Sequence, residues 1–131
     1  METQKIARSL VMVVALASLA ACSSYATRPA APAITSGGML TGANGMTLYT
    51  FDKDVAGSGK SVCNGPCATN WPPLFAADSD AATGDYAIVV RDDGKKQWAF
   101  KGKPLYFWVK DQKPGDTSGN GVNQVWRTAT P

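Results

Sequence analysis

The chain has 131 residues, with 13 basic and 10 acidic side chains and no histidine. The net charge of +3 is too small for the clustered basic face that nucleic-acid binding requires. The lack of histidine excludes Ser–His and Cys–His nucleophilic pairs and removes the commonest metal ligand. We therefore expect no nucleic-acid partner, no catalytic residues, no metal site and no cofactor. A hydrolase built on a carboxylate pair is left as a weaker alternative.

Residues 1–21 have the layout of a bacterial secretory signal. Lys5 and Arg8 precede an apolar run over residues 10–19. This run is about half the length that a membrane-spanning helix needs, which is roughly 20 residues. It ends in Leu-Ala-Ala-Cys at Cys22, which resembles the lipobox, where cleavage precedes an acylated cysteine. The sequence therefore predicts a signal peptide over 1–21 and lipidation of Cys22.

Acylation would anchor the mature protein durably, because each buried methylene contributes about 0.8 kcal/mol and two or three chains insert together. Ser23, and not aspartate, follows Cys22, which by resemblance to lipoproteins of diderm bacteria favours sorting to the outer membrane. Residues 22–38 are rich in Ala, Pro, Ser and Gly and lack apolar periodicity, so they predict a flexible tether. We expect a lipid-anchored envelope protein, on the outer membrane and facing the periplasm.

Residues 39–131 have the length of a single domain, and strand signals dominate in them. Turn chemistry at Asn44-Gly45 and over 92–94 separates these segments. The predicted strands are 39–41, 46–51, 86–91, 97–100, 104–109 and 122–127. One helical turn is expected over 67–71, where Pro72-Pro73 ends it. We therefore predict a mostly β fold, a small antiparallel β-domain built from two related hairpin repeats.

The repeat is visible as a doubled motif, Tyr, then an aromatic two positions on, then Asp three further on. Residues 48–54 read LYTFDKD and residues 105–111 read LYFWVKD, 57 positions later. The candidate binding residues are Tyr49, Phe51, Asp54, Tyr106, Trp108 and Asp111.

These residues allow two interpretations. Side chains two apart on a strand share a face, so each tyrosine joins the next aromatic in one patch, and each aspartate falls where the chain turns. In the first interpretation the rings are core and the aspartates cap turns. In the second, the hydroxyl and carboxylate groups line one groove and bind a ligand.

The cysteines give a further prediction. With Cys22 acylated, Cys63 and Cys67 remain as an even pair in an oxidising compartment, which favours a disulfide. The alternatives are a Cu(I) site completed by Met39 or Met46, or a redox dithiol. A second local feature is a group of lysines around the predicted turns, for which we expect a solvated sheet edge: Lys95, Lys96, Lys101 and Lys103.

The lipobox, the doubled motif, CNGPCATNWPPL between the copies and GDTSGNGVNQVW after the second together resemble a known family. It is described as predicted lipoproteins with a Yx(FWY)xxD motif, or the secreted repeat of unknown function. The resemblance covers nearly all of 39–127 and implies an envelope location but no reaction. We therefore predict a non-enzymatic module that binds an unknown envelope partner or small ligand. The alternative is an envelope redox or copper-handling protein using Cys63 and Cys67.

Overall fold

The computed structural model describes residues 14–15, 17–18 and 30–131 of the chain. The predicted acylation site at Cys22, most of the predicted signal peptide and residues 22–29 of the predicted tether lie outside these described residues. Within the described ranges, no helix is both long enough and apolar enough to cross a membrane.

The described part of the chain is built mainly from short antiparallel strands. The strands are β1 (Ile34–Ser36), β2 (Met39–Thr41), β3 (Tyr49–Phe51), β4 (Tyr86–Val90), β5 (Lys96–Phe100), β6 (Lys103–Pro104) and β7 (Trp126–Thr128). Strand β1 pairs with β2, β3 pairs with β7, and β4, β5 and β6 form a three-stranded sheet in that order. The predicted fold class, mostly β with small antiparallel sheets, is confirmed.

The helix α1 (Pro66–Asn70) lies where a helical turn was expected. It starts with proline, which needs no hydrogen-bond partner for a backbone N–H at this position. It ends as the Trp71 N–H donates to the Cys67 carbonyl, 2.8 Å away. Pro72 follows and cannot continue the helix, so Trp71 is delivered into the core, where it is only 4% exposed.

Two segments differ from the sequence prediction. Strand β1 lies inside the predicted tether and pairs with β2 through a Gly37-Gly38 turn, so the folded domain begins before residue 39. The strand predicted over 122–127 starts instead as a short 3-10 turn, Val122–Gln124. The difference has a local cause, because Asn123 and Gln124 have φ angles of 50° and 61°, in the left-handed region that no strand uses.

In the first half of the domain, three segments meet in a closed ring of backbone hydrogen bonds. The Leu40 N–H donates to the Ala129 carbonyl, and the Ala129 N–H donates to the Leu48 carbonyl, both at 2.8 Å. The Leu48 N–H closes the ring on the Leu40 carbonyl at 2.9 Å. All three residues are at most 3% exposed and belong to one apolar cluster. We call this the first ring.

The second half repeats the arrangement with Trp98, Leu74 and Leu105, which we call the second ring. The Trp98 N–H donates to Leu74, Leu74 to Leu105, and Leu105 to Trp98, each at 2.9 Å. The direction of donation is the same as in the first ring. The two copies of the sequence motif therefore belong to two structurally equivalent units.

The final segment of each unit comes from the other copy of the repeat. Ala129 follows β7 near the end of the chain, yet it completes the first ring. Leu74 precedes the second motif, and it completes the second ring. Each sequence copy thus gives its last segment to the other unit. The two predicted repeats are therefore present, and the structure adds that the two units exchange strands.

Candidate functional site

The two motif tyrosines lie side by side at the junction of the two units. The Tyr49 N–H donates to the Tyr106 carbonyl at 2.8 Å, and the Tyr106 N–H donates to the Tyr49 carbonyl at 3.0 Å. Both tyrosines are completely buried. This backbone pair is the centre about which the two copies of the motif are arranged.

The tyrosine hydroxyl groups bind the aspartates of the opposite copy. Tyr49 Oη donates to Asp111 Oδ2, and Tyr106 Oη donates to Asp54 Oδ2, both at 2.6 Å. Asp54 is 3% exposed and Asp111 is 8% exposed. We call these two contacts the crossed pairs, because each links one copy of the motif to the other.

The second oxygen of each aspartate holds the loop that follows it. Asp54 Oδ1 accepts from the Val62 N–H at 2.7 Å. Asp111 Oδ1 accepts from the backbone N–H of Ser118 at 3.0 Å and from its hydroxyl at 2.6 Å. Each aspartate N–H also donates to the carbonyl of the motif aromatic three residues earlier. The aspartates therefore fix turns, as the first interpretation of the motif predicts.

The tyrosine oxygens also accept hydrogen bonds. The Gly119 N–H donates to Tyr49 Oη at 3.2 Å. Ser61 Oγ lies 2.6 Å from Tyr106 Oη, and since the Tyr106 proton is directed to Asp54, Ser61 is the donor. Each hydroxyl group is thus both donor and acceptor within the core.

A buried arginine extends the network around Tyr106. Arg91, which is 3% exposed, donates to Ser61 Oγ at 2.9 Å and to Gln97 Oε1 at 2.7 Å, and it also donates to the Cys63 carbonyl. Sequence reasoning did not select Arg91, Ser61 or Gln97. Strand alternation could have found Arg91, because it lies two positions after the buried Val89 and shares its face.

The motif aromatics take part in a continuous stack of four rings. Phe51 stacks on Trp126 with centroids 4.3 Å apart, Trp126 on Trp71 at 3.7 Å, and Trp71 on Trp108 at 3.9 Å. Tyr49 meets Trp71 edge-on, and Tyr106 meets Trp126 in the same way. Trp126 lies in the segment that completes the first unit and Trp71 in the segment that completes the second, so their stacking in this aromatic column joins the units in addition to the crossed pairs.

Burial sets the protonation of the central groups. It raises the pKa of Tyr49 and of Tyr106 above the ordinary range, and the hydrogen bond from each hydroxyl to its aspartate raises it further. Burial also raises the pKa of Asp54, against the opposing effect of hydrogen bonds from Tyr106 and Val62. The phenols therefore stay protonated as donors and do not serve as bases or nucleophiles near neutral pH.

The six candidate binding residues do converge, but in the interior and not in an open cleft. Five of them are buried, and Trp108 alone is half-buried, with the Lys110 amine 5.6 Å from its ring. An open groove of about 430 Å³ borders the column at Phe51 and Trp126, together with Lys53. The proposed binding role of the six residues stays a prediction, and their burial favours the architectural interpretation for all but Trp108.

The predicted disulfide joins Cys63 and Cys67. Cys63 is completely buried in the aromatic cluster, and Cys67 is half-buried beside it. The bond links the loop held by Asp54 to helix α1, which positions Trp71 for the column. Within the part of the chain that the structure describes, no group of three or more His, Cys, Asp or Glu side chains is placed to hold a metal ion.

The fold and its centre define a β-domain of two strand-exchanging repeats closed by crossed tyrosine–aspartate pairs. A family model described as a secreted repeat of unknown function matches residues 34–75 and 87–130. These matches cover most of the chain, which therefore belongs to this family. Each matched repeat ends with the segment that it gives to the other unit. No curated protein and no solved structure matches the chain significantly.

The crossed pairs predict partner-specific energetic coupling. Tyr49→Phe should lower the free energy of unfolding by about 1 to 3 kcal/mol, because it leaves a buried carboxylate oxygen without its donor. In double-mutant cycles from chemical denaturation, Tyr49→Phe should couple to Asp111→Ala by about 0.5 kcal/mol or more and to Asp54→Ala by less. Tyr86 lies outside the two copies of the motif, so Tyr86→Phe is the matched control. It should lower the free energy of unfolding by no more than about 0.5 kcal/mol. Stronger coupling within one copy than between copies would contradict the crossed arrangement.

The raised pKa of Asp54 predicts a pH dependence. A carboxyl group whose pKa is higher in the folded state binds its proton more tightly there. Its contribution to the free energy of unfolding is therefore fully present below the pKa that the group has in the unfolded state. That contribution is lost as the pH rises through the folded-state pKa. The free energy of unfolding of the wild type should therefore fall relative to that of Asp54→Asn as the pH rises above the pKa that Asp54 has in the unfolded state. Denaturation series at stepped pH measure the difference, and a wild type that gains stability relative to the variant would contradict it.

Proposed function

We propose that this protein is a lipid-anchored component of the cell envelope whose folded domain is a non-enzymatic binding module. The basic start, the short apolar run and the Leu-Ala-Ala-Cys ending at Cys22 support the anchor. Membership of a family described as secreted supports export. The Cys63–Cys67 disulfide fits an oxidising compartment outside the cytoplasm.

The observation that carries the binding-module proposal is that the polar groups of the repeated motif form their hydrogen bonds with one another. Its tyrosines and aspartates satisfy one another across the two units at 2.6 Å. The motif therefore supplies a rigid scaffold, and recognition falls to side chains at its rim. Trp108 is the motif residue that reaches the surface, with one ring face on Trp71 and Lys110 beside it. A half-buried indole with a nearby cation is a common anchor in interfaces.

The alternative function is an envelope redox or copper-handling role for Cys63 and Cys67. The disulfide supports it less well than the binding module, because copper binding needs free thiolates and Cys63 is completely buried. Copper content per chain, measured before and after reduction, separates the two functions. One copper ion per reduced chain, held without unfolding, would favour the alternative.

The anchor predicts a modified N-terminus at Cys22. Intact-mass measurement of the wild-type protein from a bacterial envelope should show cleavage before Cys22 and the added mass of acyl chains. Cys22→Ala should accumulate as an unprocessed precursor or be released from the membrane, while Cys67→Ala should still be acylated. An unmodified mature N-terminus in the wild type would refute the anchored form.

The binding module predicts that recognition depends on the rim of the aromatic column. Lys110→Gln should reduce retention of solubilised envelope components on the immobilised protein by about fivefold, the equivalent of about 1 kcal/mol for a cation at an aromatic contact. Lys113→Gln removes one charge from an exposed position three residues further on and should leave retention unchanged. Equal retention by both variants and the wild type would locate binding elsewhere.

A further inference from the structure

A second, cationic groove of about 290 Å³ lies where the turn between β5 and β6 meets the β3–β7 pair. Three basic side chains and three threonines contribute to its wall: Thr50, Lys101, Lys103, Arg127, Thr128 and Thr130. Lys101 and Lys103 lie at the turn between β5 and β6, and the exchange of β7 between units brings Arg127 beside them. The motif residues of the crossed pairs do not take part in this groove.

The backbone conformation of Lys101 in this turn is unfavourable for a lysine. Its φ angle is 47°, in the left-handed region, where a non-glycine residue is strained. The corresponding residue of the first copy, Asn44, does not have a positive φ angle, so at this position the left-handed conformation belongs to the second copy alone. The following Gly102 is needed for a separate reason, because a Cβ there would lie 2.6 Å from the Gly57 nitrogen. The turn is thus packed tightly, and it holds Lys101 in a costly conformation.

The other two cations have partial counter-charges. Arg127 pairs with Asp52, with Nε 3.2 Å from Oδ2, and it lies directly opposite Thr50 in the strand register. Lys103 is half-buried, and its charge acts on the buried Asp54, whose pKa it helps to lower against the larger effect of burial. Lys101 is fully at the surface, with its amine 5.2 Å from the Phe100 ring. The groove therefore keeps an excess of positive charge beside several hydroxyl groups.

We propose that this groove binds the phosphate group of a small phosphorylated ligand. A phosphate offers several charged acceptor oxygens to the guanidinium, the two ammonium groups and the threonine hydroxyls, and charge-assisted hydrogen bonds of this kind are strong. The volume suits one phosphorylated group and is at the small end for ligand pockets. The phosphate can be carried by a soluble phosphomonoester or by a phospholipid head group, since the chemistry that the groove recognises is the same.

A matched pair of lysines in the same protein provides the control. Lys95 precedes strand β5 and Lys96 is its first residue; both lie outside this groove, and each has its own contact. Lys95 lies 5.5 Å from the Phe75 ring, and Lys96 lies 3.9 Å from Asp78. Replacing this pair removes the same charge from the chain as replacing Lys101 and Lys103. A general effect of net charge will therefore appear equally in both double variants.

The first experiment titrates the full chain, purified in detergent, with glycerol 3-phosphate by NMR or calorimetry. Lys101→Gln combined with Lys103→Gln should weaken binding by at least about tenfold, because charge-assisted hydrogen bonds to the phosphate are lost. Lys95→Gln combined with Lys96→Gln should change the affinity by less than about twofold. Equal weakening in both double variants, or no binding to the wild type here or in the lipid experiment below, overturns the proposal.

The second experiment separates the two sources of phosphate. Micelles doped with phosphatidic acid are compared with micelles doped with diacylglycerol, which lacks the phosphate, and every variant keeps the same N-terminal segment. If the Lys101 and Lys103 double variant loses a preference for phosphatidic acid that the wild type shows, the ligand is a head group. If only the soluble phosphomonoester depends on these lysines, the ligand is soluble. Dependence on neither overturns the proposal.

The single variant Lys101→Asn distinguishes recognition from folding. Asparagine suits the left-handed conformation, so the melting temperature should rise or stay the same. Phosphate affinity should nevertheless fall, because the cation is gone. A variant that loses both stability and affinity would show that Lys101 serves the turn, and an unchanged affinity would show that it does not serve the groove. Either result counts against the proposed site.

Discussion

The crossed hydrogen bonds between each tyrosine and the aspartate of the opposite copy are the contacts on which the rest of the domain depends. Each aspartate in these bonds also holds the loop that follows it, through its second carboxylate oxygen. A buried carboxylate that loses its phenol donor becomes an unsatisfied polar group in an apolar core, which is costly. The motif therefore recurs because each copy completes the other, and one copy alone would leave both groups without partners.

The same constraint explains why little of the motif is left for recognition. The aromatic column, the disulfide and the buried Arg91 surround the crossed pairs. The chemically distinctive residues of the chain therefore stabilise the interior of the domain and make it rigid. A rigid scaffold is useful for binding, since side chains at its rim lose little conformational freedom when a ligand is bound. Function is therefore expected where the column and the exchanged strands reach the surface.

The sequence predicted the elements better than their partners. Alternation and turn residues located β2, β4, β5 and the helical turn before Pro72, and the doubled motif identified the repeat. Strand exchange could not be predicted, because period-2 alternation gives the face of a residue and not the strand opposite it. The prediction for the start of the 122–127 segment was wrong for a local reason, since Asn123 permits a left-handed conformation but Gln124 gives no sign of a second one. Ser61 and Gln97 became relevant only through their contacts in the fold, since Ser61 binds Tyr106 and both residues bind Arg91.

Strand exchange also has a consequence for biogenesis. The first unit is complete only when the residues around Ala129 have joined Leu40 and Leu48, which lie some 80 to 90 positions earlier in the chain. Closing such long loops is slow compared with forming local contacts. A chain that emerges from its N-terminus cannot close either ring until later residues follow, and the first ring waits for almost the last. The N-terminal half of the domain therefore cannot become compact ahead of the rest, and the first unit closes only once the residues around Ala129 are available.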